Sequence, residues 1–147
     1  MFIFYQDIKD RKVFWFLFPL VGVLSGYLMF NNIYDEFLLM TIAINLLVVV
    51  FMLSIVFMYS RYKLKTSFNK TLGLGDVLLF LALAFSFASV SFIVLFVFGL
   101  VFSLILHLIL KQKSKLQTVP LAGYLSLFFA ISYLAYWTGF LPTLYIL

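Results

Sequence analysis

Five long apolar stretches leave this chain few folds to choose from. They cover residues 13–30, 37–59, 77–87, 92–110 and 120–137, with a short apolar tail to residue 147. A hydrocarbon core about 30 Å thick is crossed by about 20 helical residues. With 66% of the 147 residues hydrophobic and 10% charged, and a mean hydropathy of +1.20, too little polar surface remains to cover a water-soluble core. Lipid has to act as the solvent. The expectation is an all-α, polytopic transmembrane helix bundle with about five crossings, built as a single membrane-embedded domain over residues 1–147. The third stretch is short for a perpendicular span, so it must borrow neighbouring residues, thin the bilayer or lie partly at the interface. The connection at 88–91 is small or apolar throughout and fits a tight turn or a broken long helix equally well.

The basic residues set the orientation. They fall in three places: Lys9, Arg11 and Lys12; Arg61, Lys63, Lys65 and Lys70; Lys111, Lys113 and Lys115. The alternate loops carry Asn31, Asn32, Asp35 and Glu36, then Ser89 and Ser91, then the tail after Trp137. Lysine and arginine are retained on the cytoplasmic side, so five crossings alternate without contradiction and all three basic segments are cytoplasmic. Contact with anionic lipid headgroups accounts for them. The first apolar stretch follows a charged segment and has no small-residue cleavage site after it, so it reads as retained rather than as a signal peptide.

Several chemistries are excluded. There is no cysteine and one histidine, His107, which leaves no disulfide, thiol nucleophile or zinc ligand set and makes a metal site improbable. No cofactor box is present, and a net charge of +5 on a chain with no soluble basic face does not read as a nucleic-acid binder. Asn45 and His107, inside apolar stretches, read as hydrogen-bonding partners for neighbouring helices. Trp15 and Trp137 suit the interfacial belt, and Pro120 suits the start of the last helix.

The acidic residues are more informative. Asp35 and Glu36 read as solvated residues of an outer loop, whereas Asp7, Asp10 and Asp76 sit on the cytoplasmic side beside the entrances of apolar stretches, a costly place for a carboxylate. Gly73-Leu74-Gly75-Asp76 leads directly into Val77-Leu78-Leu79-Phe80, which puts the Asp76 carboxyl on the first turn of a helix. Two readings stay open. The aspartate caps the helix after a flexible loop, or the glycines leave room for a partner helix or an extended peptide beside a working carboxylate.

A second segment, Asp7-Ile8-Lys9-Asp10-Arg11-Lys12-Val13, places an acid before basic residues and then a hydrophobic stretch. Together the two segments resemble the type IV prepilin peptidase family, bacterial and archaeal intramembrane aspartyl proteases. In that family the first aspartate stands in a pattern like Asp-x-Arg-x-Arg-Arg-Ile-Pro and the second in Gly-x-Gly-Asp-x-Lys-Leu. Residues 118–125, Thr-Val-Pro-Leu-Ala-Gly-Tyr-Leu, are similar to the family's Ile-Pro-Phe-Gly-Pro-Phe-Leu segment, so the resemblance covers most of the chain. Phe14 stands where the first motif has proline, and Leu78 where the second has lysine. The helix before the first aspartate is reduced to residues 1–6, either a departure from a six-helix family core or the result of a misplaced initiation codon. No Cys-x-x-Cys module is present, so by resemblance the chain cleaves but does not methylate.

The resemblance implies that Asp7 and Asp76 are catalytic, with Asp10 the alternative for the first position. It implies that Gly73 and Gly75 admit the substrate backbone, and that Pro120 marks the third motif. The substrates are then pilin-like precursor proteins, cut at the cytoplasmic face of a prokaryotic inner membrane. Two carboxyls a few ångströms apart share one proton, and the pair activates a water while polarising the scissile carbonyl. Three rival readings follow. A catalytically inactive membrane scaffold or assembly relative of the family keeps the bundle only. A presenilin-type protease shares Gly-Leu-Gly-Asp but belongs to longer chains, with the first aspartate deep in a helix, whereas Asp7 reads as opening a basic loop. A small transporter wants ionisable groups near the midplane, where only Asn45 comes close.

Overall fold

The computed structural model describes residues 2–10, 13–64, 72–110, 120–141 and 143–146. Arg11, Lys12, Lys65, Lys70, Lys111, Lys113, Lys115, Thr118 and Val119 lie outside the described residues. The described residues form six α-helices: α1 (Phe2–Asp10), α2 (Leu17–Asn32), α3 (Asp35–Tyr59), α4 (Leu74–Ala84), α5 (Ser89–Leu110) and α6 (Leu121–Trp137). A π-helical turn, Ser60–Leu64, continues α3. The protein is all-α. Two segments, Glu36–Tyr62 and Ser89–Leu110, are long and apolar enough to cross a membrane, and α2, α4 and α6 are shorter apolar helices. By contact density the chain divides into two compact units: Met1–Phe14 with Val94–Leu144, and Trp15–Ile93 with Tyr145–Leu147.

In the second unit α4 packs against both α2 and α3. The α2 face toward α4 is made of small residues. A side chain on Gly22 would meet the Ala82 backbone at 3.4 Å, and one on Gly26 the Phe85 carbonyl at 3.5 Å. Between these glycines the Ser25 and Ser86 hydroxyls lie 2.6 Å apart, so that one donates to the other while the acceptor's own proton goes to a carbonyl of its helix, Val21 for Ser25 or Ala82 for Ser86. Small residues at i, i+3 and i+4 let two helix backbones approach closely, so that packing and hydrogen bonds join α2 to α4. At the far end Met29, Ile33 and Ala88 form a buried cluster covered by Leu38, Ile42 and Tyr145.

Asn45 determines how α4 ends. Its amide donates to the carbonyls of Ala84 at 3.0 Å and Phe87 at 2.8 Å, and the residue is fully buried. The last turn of α4 tightens as the Phe85 N–H bonds the Ala82 carbonyl and the Ser86 N–H bonds that of Leu83. Carbonyls orphaned at a helix end are thus satisfied locally and by one side chain from α3. The expected role of Asn45, a hydrogen bond to a neighbouring helix, is the one observed.

Three boundaries differ from the sequence reading. The third apolar stretch is 11 residues long as a helix but runs from Leu74 to Ala84. It borrows Leu74, Gly75 and Asp76 while residues 85–88 form the turn before α5, so of the two possibilities for this connection the turn is present. At 1.5 Å per residue α4 is about 16 Å long, half a bilayer core. The first stretch becomes helical only at Leu17, with Pro19 in the first turn, where its missing N–H costs nothing. The third difference is at the amino end, where the expectation of a basic loop opening at Asp7 is corrected, because Asp7 lies inside α1. A nine-residue helix of mixed composition is not stable alone. It forms here because it packs along α6 in the first unit, with Ile3 buried and Asp7 one turn further along the same face.

The first unit also joins α5 to α6. A side chain on Gly99 would meet the Leu125 Cδ2 at 2.9 Å and the Phe128 ring at 3.2 Å, and the Phe102 and Phe128 rings meet at a 42° tilt with 5.5 Å between centroids. Ala122, Tyr124, Leu125 and Phe129 give α6 a buried face, and Trp137 stands exposed at its end.

Candidate active site

Each of the two motif aspartates stands at the start of a helix, but not in the same manner. In the first unit the α6 start is built from Pro120, which is the N-cap and has no side-chain acceptor. Its carbonyl accepts the first intrahelical bond, from the Tyr124 N–H at 3.1 Å. The N–H groups of the first turn have no partner within their own helix. Asp7 supplies one from 116 residues away: the Gly123 N–H donates to Asp7 Oδ2 at 2.7 Å. A carboxylate near a helix N-terminus is also favoured by the helix dipole. Close approach depends on glycine, because a Cβ on Gly123 would lie 3.0 Å from Asp7 Oδ2 and 3.1 Å from Asp7 Cβ. Beside Asp7 in sequence, Gln6 Oε1 accepts the Phe14 N–H at 3.3 Å.

In the second unit Gly73 is the N-cap of α4 and Asp76 its third residue. Asp76 Oδ2 accepts the Gly73 N–H at 3.1 Å. This is one half of a capping box, and glycine has no side chain to return the other bond. The Gly73 carbonyl accepts the N–H groups of Asp76 and Val77 at 3.1 and 3.3 Å. Asp76 is partly buried. The capping alternative considered for it from the sequence is therefore realised in its geometry, and a cap of this kind is compatible with further chemistry at the same carboxylate.

The glycines divide in role. Among the described residues only Asp76 Oδ2 comes near Gly73, at 3.4 Å from a built Cβ, whereas the space left by Gly75 is taken by the Phe18 ring, 3.3 Å from such an atom. Of the two occupants foreseen for the Gly-Leu-Gly step, a partner helix fills Gly75, and that helix is α2. Leu78 lines an apolar cavity of about 510 Å³ together with Phe18, Gly22, Gly26, Ala82 and Phe85. The side chain of Asp10 falls outside the described residues, and among the described residues no cluster of histidine and acidic side chains could hold a metal ion.

Pro120, Gly123 and Asp7 are thus brought together in one unit, and Gly73, Gly75 and Asp76 in the other. Gly123 was quoted in the third motif but not singled out, and the Gly22, Ser25, Gly26 spacing on α2 was the readable sign of a close helix contact. The chain matches no protein-family model, no curated protein and no solved structure.

Proposed function

We propose that this chain is a multi-pass protein of a prokaryotic cytoplasmic membrane and an aspartyl endopeptidase of the prepilin-peptidase type. It removes the basic leader of pilin-like precursors at the inner face, with Asp7 and Asp76 as the working pair. Membrane residence is supported by the two long apolar segments, in each of which only 17% of the most apolar window is covered by protein. A soluble protein's core helix is mostly covered. Leu39, Leu47, Phe51 and Phe98 are among the large apolar side chains left exposed, a surface that water does not tolerate at this extent.

The observation that carries the catalytic reading is the local setting of each aspartate. Both carboxylates are anchored through Oδ2 by a backbone N–H at a helix start, next to a glycine. Fixed carboxyls of this kind are what acid–base catalysis on one water needs. One takes the water's proton as the oxygen attacks the scissile carbonyl, and the other, protonated, polarises that carbonyl and then gives its proton to the leaving amine. No cofactor takes part, and the enzyme's partners are the precursor and the surrounding lipid.

Co-expression with a precursor that carries a lysine-rich leader ahead of an apolar helix tests the proposal. The wild-type chain shortens the precursor, and Asp7→Asn and Asp76→Asn variants do not. A precursor left intact by the wild type overturns it.

One observation favours a second reading, the inactive scaffold. Both carboxylates already have structural work as helix caps, which by itself is a reason for an aspartate at each position. Asparagine keeps the cap acceptor but cannot ionise, whereas alanine loses both. The scaffold tolerates asparagine at both sites and not alanine; the peptidase tolerates neither.

A further inference from the structure

Gly123 stands in a relation to Asp7 that starting a helix does not require. Its N–H is an orphan donor of the first turn of α6, and the N-cap, Pro120, offers no side-chain oxygen to take it. The acceptor instead comes from α1, at 2.7 Å. Three atoms of the same aspartate crowd the missing side chain of Gly123: Oδ2 at 3.0 Å, Cβ at 3.1 Å and Cγ at 3.5 Å from where a Cβ would sit. We infer that Gly123 is a positioning residue for Asp7, holding Oδ2 with its N–H and letting the carboxylate rest on the first turn of α6 because it has no side chain. The inference rests on the reading of Asp7 as a catalytic carboxylate.

The crowding cannot be relieved by a side-chain rotation alone. Asp7 Cβ is bonded directly to the α1 backbone, so an added methyl group at residue 123 separates α1 from α6 and lengthens the N–H to Oδ2 bond. Gly99 provides the contrast in the same unit. Its nearest contact is tighter, 2.9 Å to Leu125 Cδ2, with 3.2 Å to Phe128 Cδ1, but both atoms belong to the outer parts of side chains, and neither belongs to an aspartate. Relief of contacts at 3.0 and 3.1 Å takes a shift of a few tenths of an ångström, and since about 1 Å costs a reacting group on the order of 100-fold in rate, the expected loss here is about 5-fold.

The test uses the full chain in detergent with a synthetic precursor peptide, a lysine-rich leader followed by an apolar helix, as the probe. Gly123→Ala lowers kcat about 5-fold with KM held within about two-fold, because an interaction of the reacting group and not of substrate binding is lost. Gly99→Ala keeps kcat. Unfolding of the wild type, Gly123→Ala, Asp7→Ala and the double variant gives a readout free of activity: the two changes are non-additive, since each removes the same contact. Equal kcat for Gly123→Ala and Gly99→Ala, or additive effects on unfolding, overturns the inference. If the wild type does not cut the probe, the endopeptidase reading fails by itself, and the unfolding cycle alone decides whether Gly123 holds Asp7.

Discussion

Replacing Asn45 tests how a buried hydrogen-bonding side chain holds the second unit together. The Asn45 amide joins α3 to two carbonyls at the end of α4, at 3.0 and 2.8 Å, in a fully buried place. Leucine has nearly the same size, so Asn45→Leu leaves no cavity and removes only the donors. Losing a hydrogen bond to a buried carbonyl costs about 1–3 kcal/mol by soluble-protein measures. The leucine variant also relieves the Asn45 Oδ1, which is buried without a partner among the described residues, and hydrogen bonds between membrane helices average only about 0.6 kcal/mol. The net loss is therefore about 1–2 kcal/mol. Asn45→Asp turns two donors into a carboxylate facing two carbonyl oxygens, and costs about 3 kcal/mol or more. Reversible unfolding in mixed detergent micelles measures both. The order of stability is wild type, then Asn45→Leu, then Asn45→Asp; a leucine variant as stable as the wild type, or an aspartate variant no worse than leucine, refutes this account of how α4 ends.

Further outcomes follow from the same geometry. Asp76→Asn keeps the bond from the Gly73 N–H and leaves unfolding within about 0.5 kcal/mol of the wild type while abolishing precursor cleavage, whereas Asp76→Ala also loses about 1 kcal/mol of helix capping; detergent unfolding and a gel-shift cleavage assay separate the two. Gly22→Leu forces α2 away from the Ala82 backbone and costs about 1–3 kcal/mol, while Gly26→Ala, whose added carbon meets neighbours at 3.5 and 3.7 Å, is tolerated in the same assay. Since the chain has no cysteine, single cysteines report topology cleanly: Lys63→Cys and Lys113→Cys are blocked by thiol reagents only after the membrane is permeabilised, and Glu36→Cys is blocked from outside.

The long helices were readable because their cause is local. Apolar stretches at 37–59 and 92–110 became Asp35–Tyr59 and Ser89–Leu110, since a run of leucine, valine and phenylalanine bounded by polar residues needs no distant partner to be helical. Helix α1 was not readable, because Phe2–Asp10 owes its existence to packing on α6, more than a hundred residues away. The end of α4 was hidden for the same reason: nothing in Phe85-Ser86-Phe87-Ala88 announces that Asn45 will take two of the carbonyls there. At the candidate site the first-turn position of Asp76 could be inferred from Gly-Leu-Gly-Asp ahead of an apolar stretch. That Asp7 caps α6 through Gly123, and that Phe18 fills the space beside Gly75, are tertiary facts without a local signature.

The account turns on Asp7 and Asp76 acting on one water. Cysteines placed at both positions in this cysteine-free chain, treated in membranes with a short bifunctional thiol reagent, report that directly, with the Asp7→Cys, Glu36→Cys pair, on opposite membrane faces in the proposed topology, as the control. Efficient linkage of the first pair and none of the second is the predicted result. Failure of the first pair to link, although each of its cysteines reacts with a monofunctional reagent, contradicts the proposed chemistry.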